Sequence, residues 1–138
     1  MGRKVSKISR EVQEYIPKDW KDEKGNPEEN PFTVSFKPLS KRQLAGFQDN
    51  SSRVSIGSNA ILLGNATGNI NVFKEAVVGW KNLIAEDEEG KETELKYEKD
   101  ALGNVKDSII EDIPLDLIEE IAGHILETSR FGTKEAGN

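Results

Sequence analysis

Behind Pro114 the apolar residues Leu117, Ile118, Ile121, Ile125 and Leu126 recur at steps of three and four, the period of a helix with one buried stripe. The pattern predicts a helix over residues 116–131, opened by Pro114 with acidic Asp116, Glu119 and Glu120 in its first turns and closed by Gly132. A stripe this wide cannot stay in water, so the rest of the chain must provide a surface that covers it. One such surface is suggested where Phe32, Val34 and Phe36 alternate with Thr33, Ser35 and Lys37, the period of a half-buried strand, before Pro38 ends it.

Further elements follow from caps and spacing. Ser40 with Gln43 three residues on forms a capping-box pattern, leading into a helix of about three turns with Leu44 and Phe47 inward. Asn71 is placed to cap a second helix over residues 71–82, on which Val72, Phe73, Ala76, Val77 and Trp80 share a face. Leu83 to Ala85 and residues 94–97 flank the charged turn Glu88-Glu89-Gly90-Lys91 as two short strands. The expected fold is α+β: a small antiparallel sheet from residues 32–37, 83–86 and 94–97, packed against two main helices near 71–82 and 115–130. Residues 1–31, punctuated by Pro17, Pro27 and Pro31, read as an extended N-terminal arm, within which Val5, Ile8, Val12 and Ile16 make a short amphipathic stripe. Residues 32–138 then form a single domain, interrupted at 48–70 by a loop rich in Gly and Asn.

Several function classes are excluded by residue usage. With no Cys and one His, disulfides and thiolate metal sites are ruled out, and a zinc site would need three or four carboxylates. The net charge of −6 is unevenly spread: residues 86–120 carry fourteen acidic and four basic side chains, net −10, whereas residues 1–85 are net +4. Nucleic acid is therefore a poor partner, because the short cationic stretch at Arg3, Lys4, Lys7 and Arg10 has no interleaved aromatic side chains. That stretch also precedes no apolar segment of signal-peptide length, and a cytosolic protein with no membrane association is expected. His124 has no Ser or Cys nucleophile pattern beside it and reads as a surface or half-buried residue. Gly64-Asn65-Ala66-Thr67-Gly68 lacks the Lys and Ser or Thr of a phosphate loop, Asp87-Glu88-Glu89-Gly90 reads as a plain turn, and adjacent Glu119 and Glu120 diverge on a helix. No enzyme and no cofactor is indicated.

The order of motifs carries more information than any one of them. An arm with Tyr15-Ile16-Pro17 leads to Pro31-Phe32-Thr33-Val34-Ser35-Phe36-Lys37-Pro38 and a short helix. Val77-Val78-Gly79-Trp80-Lys81-Asn82-Leu83 and the acidic Asp87-Glu88-Glu89-Gly90-Lys91 come next, followed by a Pro114-initiated helix with Ile125 and Ser129 beyond. Over residues 32–135 this order resembles a tail assembly chaperone of a tailed bacteriophage. The resemblance implies a non-enzymatic protein of the host cytoplasm that binds the helical tape measure protein, or other tail proteins, and keeps it soluble. For such a holdase Phe73, Val77, Trp80, Ile118, Ile121 and Ile125 are the expected partner-binding positions, with packing in the core as the competing role of each. The competing functional class is a virion structural protein, a neck, connector or tail-completion subunit. Oligomeric state is not legible in the chain.

Overall fold

The computed structural model describes residues 10–52 and 66–131. Its architecture is α+β, with a three-stranded antiparallel sheet, a separate two-stranded hairpin and, among the described residues, four α-helices. The sheet is ordered β1 (Gln13–Tyr15), β2 (Thr33–Phe36), β3 (Val77–Lys81), with β2 in the centre. Val34 stands between Tyr15 and Trp80 in the register, which puts all three on one face, and Ser35 stands between Glu14 and Gly79 on the other. The first face is the covered one. Phe32, Val34 and Phe36 are fully buried, as the alternation predicts, and join a single core cluster with α2 (Ala66–Ala76) and α4 (Leu115–Phe131).

Among the described residues of the arm, Gln13–Tyr15 enter the sheet as the edge strand β1, Lys18–Trp20 make one 3-10 turn, and Lys21 bridges to Pro27 around a turn at Asp22–Asn26. Pro17 is buried and Trp20 meets Phe32 in a T-shaped contact at 5.1 Å. Because the backbone at 13–15 is a strand, Val12 and Ile16 do not share a helical stripe, and Val12 is exposed. Val5 and Ile8 lie outside the described residues.

Two expectations are corrected in the middle of the chain. The helix expected over 71–82 starts earlier and stops at Ala76, where the chain passes directly into β3. Asn69, Val72, Phe73 and Ala76 form its buried stripe, so Asn71 is a mid-helix residue and no cap. Val77 and Trp80 keep a helical spacing from Phe73, but the β-branched pair Val77-Val78 and the ladder offered by β2 win. Val78 is the extra residue of a bulge, since Ser35 pairs with Gly79 and Phe36 with Val77. The expected long loop at 48–70 also shrinks from both ends, because α1 (Lys41–Ser52) continues through 48–52 and α2 claims 66–70; residues 53–65 lie outside the described residues. The capping box is as expected: Gln43 N–H donates to Ser40 Oγ at 3.2 Å and Ser40 N–H to Gln43 Oε1 at 2.9 Å.

A third correction concerns the sheet. β4 (Ile84–Glu86) and β5 (Glu92–Glu94) pair only with each other, so β1 and β3 flank β2 instead. β5 lies earlier than the expected 94–97 because the turn is short: Glu86 already faces Glu92. Leu95 and Tyr97 instead pack against the core edge. After the four-residue helix α3 (Asp107–Ile110), Pro114 opens α4 as expected, its carbonyl accepting the N–H groups of Leu117 and Ile118. Gly132, expected to close α4, lies outside the described residues.

Candidate functional site

The six apolar positions expected to meet a partner converge in the structure, but on one another. Phe73 on α2, Val77 at the start of β3, and Ile118, Ile121 and Ile125 on α4 are all buried in the same cluster. Trp80 is half-buried at its edge, 6.1 Å from the Phe73 ring and in T-shaped contact with Tyr97 at 5.2 Å. Its indole N–H donates to the Leu95 carbonyl at 2.7 Å, which ties β3 to the end of the hairpin. Each of these side chains therefore holds the fold together, and of the six Trp80 alone keeps appreciable exposure.

Chemistry-bearing groups gather elsewhere, at the arm. A cleft of about 630 Å³ opens between β1, the ends of β2 and β3, and α4, with Tyr15, Lys21, Asn30, Lys81, Asn82 and His124 in its wall. Asn30 and Asn82, with φ of 51° and 63°, are the non-glycine residues in left-handed backbone among those described, and both lie here. The Asn82 side-chain amide donates to the Pro31 carbonyl at 3.3 Å and braces this end of the sheet.

Two parts of the chain distant in sequence meet on the arm side of the cleft, Tyr15 from the arm and Glu120 with His124 from α4. The Tyr15 hydroxyl donates to Glu120 Oε2 at 2.6 Å, and the Lys18 N–H donates to the same oxygen at 2.9 Å. The Tyr15 ring stacks on the His124 imidazole at 4.1 Å, and Phe36 meets that imidazole at 5.5 Å and nearly perpendicular. Burial above all, then the hydrogen bond to Glu120 and the charges of Glu120 and Glu127, push the Tyr15 hydroxyl well above its usual range, so it remains a donor. Burial lowers His124 below the ordinary imidazole value, Glu127 and Glu120 oppose that, and Lys21 adds to it.

Thr128 Oγ1 lies 3.4 Å from His124 Nε2, but Thr128 is fully buried and cannot be presented to a substrate. Among the described residues no group of three or more His, Asp or Glu is placed to hold a metal ion, and no helix is long and apolar enough to cross a membrane. His124 is half-buried, one of the two positions the sequence allowed. The Tyr15, Glu120 and His124 grouping was not foreseen, because 105 residues separate Tyr15 from Glu120 and no local pattern links them. Comparison of the chain with protein-family models, curated proteins and solved structures finds no match. Function must be read from the order of elements and from the surface.

Proposed function

We propose that the protein is a non-enzymatic tail assembly chaperone of a tailed bacteriophage, acting in the host cytoplasm to bind the tape measure protein and keep it soluble. The observation that carries this reading is the order of motifs: the Trp80 segment, the acidic Asp87 turn and the Pro114-initiated helix with Ser129 in its last turns. Each has a definite job in the fold, Trp80 bonding Leu95 and the Ser129 hydroxyl accepting the Leu39 N–H at 2.8 Å.

The surface is compatible with that work. Exposed Val78, Ile84, Leu102 and Leu115 offer apolar contact, and Leu102 is 85% exposed. Carboxylates frame them: Ile84 faces Glu94 across the hairpin, Leu115 adjoins Asp116, and Glu86, Asp87, Glu88, Glu89 and Glu92 are exposed. Apolar burial would supply affinity for an amphipathic helix while the charged rim keeps the free protein dissolved. With residues 86–120 at net −10, the preferred client segment is neutral or basic.

Co-expression with the tape measure protein of the same genome tests the reading. The expected result is a soluble tape measure protein that co-purifies with this chain. An insoluble tape measure protein, together with stoichiometric amounts of this chain in mature particles, would make it a virion structural subunit instead.

A further inference from the structure

We propose that the N-terminal strand is a pH-released latch: neutral His124 holds residues 13–21 on α4 through its stack with Tyr15, and protonation of the imidazole frees the strand and uncovers the edge of β2. The latch stands whether or not the protein is a chaperone. β1 is three residues long and pairs with β2 alone, so its ladder is a weak tether. Beyond the strand Pro17 and Trp20 pack on the core, while the side-chain contact of Tyr15 and the backbone bond of Lys18 converge on the middle of α4. Glu120 receives the Tyr15 hydroxyl and the Lys18 N–H, and His124, one turn on, carries the Tyr15 ring.

The surroundings of His124 decide the sign. From the arm it faces Tyr15 and Lys21; from its own helix, Glu120, Glu127 and Thr128; from β2, the neutral Phe36 ring. A proton would place charge in a half-buried slot between two aromatic rings, beside the Lys21 ammonium. That ammonium already sits 5.7 Å from the centre of the Tyr15 ring, so a second cation gains little from the same π system. Glu127 and Glu120 ease the charge, yet burial prevails and the docked imidazole resists protonation. Once the arm leaves, His124 returns toward the ordinary value of 6.5. The group's docked value is the depressed one, so docking is complete above the ordinary value and weakens as pH falls through it toward the docked value. One linked proton gives a loss of up to about tenfold in the docking constant per pH unit.

Amide exchange and imidazole chemical shifts, recorded by NMR between about pH 7.5 and 5, test this on the full chain. Exchange protection at Gln13–Tyr15 should fall in step with His124 protonation while Ile118 to Leu126 stay protected. His124→Phe keeps a ring for Tyr15 to stack on but cannot titrate, and should leave the strand protected across the whole range. His124→Ala should weaken protection at every pH. Flat protection in the natural protein, an acid response that survives in His124→Phe, or one that vanishes only in Glu120→Gln would overturn the latch. Global loss of protection in step with the strand would do so too, because the strand would then be released only by unfolding.

Discussion

Ser129 and Trp80 each tie separate parts of the fold together through a hydrogen bond. Ser129 is buried, accepts the Leu39 N–H at 2.8 Å and donates to the Ile125 carbonyl at 2.6 Å, fastening the end of α4 to the corner after β2. Ser129→Ala strands that buried N–H and should cost about 1–3 kcal/mol, read from a shift in the denaturation midpoint with an unchanged slope. Trp80 differs, since packing dominates its contribution. Trp80→Ala should destabilise by about 3 kcal/mol, at the low end for a core Trp because the ring is half-buried. Trp80→Phe loses chiefly the hydrogen bond to Leu95 and should cost about 1 kcal/mol. A reversed order of these two variants would show that Trp80 is held by something other than Phe73 and Tyr97 packing. From sequence the importance of Trp80 was evident and its setting was not: Val77 to Trp80 fits a helical stripe as well as a strand, and pairing with β2 decides the matter.

Three turns are built on one plan. In Asp22-Glu23-Lys24-Gly25-Asn26, Asp87-Glu88-Glu89-Gly90-Lys91 and Asp100-Ala101-Leu102-Gly103-Asn104, the Asp carboxylate accepts the N–H groups two and four residues ahead. Its carbonyl accepts the glycine N–H, and the glycines have φ of 85°, 84° and 85°. The Asp87 turn is legible in the sequence from its charged run and Gly90, and the shared D-x-x-G spacing is the signal for the other two. Glycine supplies a backbone there that a Cβ would strain, so Gly103→Ala should destabilise by about 1–2 kcal/mol despite open space around it. Gly46, within α1 and equally open, should respond in the opposite sense, gaining about 0.5–1 kcal/mol on Gly46→Ala. Thermal unfolding of the pair checks both signs. The capping box of α1 was legible because Ser40 and Gln43 are three residues apart, within reach of purely local rules.

At the scale of the molecule, the apolar stripes close on one another as the core, and the acidic side chains of segment 86–120 lie on the exterior of the hairpin, the Asp100 turn and the start of α4, with exposed Ile84, Leu102 and Leu115 among them. If a basic client meets that surface, its affinity should fall as salt shortens the screening length from about 10 Å at 0.1 M to about 3 Å at 1 M. Titration of the co-purified complex against salt measures this, and salt-independent binding would move the client to an uncharged face. The sequence by itself determined the α+β class, a strand within residues 32–37, the capped helix after it, the Pro114-initiated helix and the acidic turn, because period, caps and turn residues act over a few neighbours. Only the tertiary structure decided that the arm enters the sheet, that the hairpin stands apart from it, that the Trp80 segment is a strand, and that Tyr15, Glu120 and His124 meet. Those outcomes depend on which long-range partners are available for a backbone edge or a ring, and one chain read residue by residue does not display its partners.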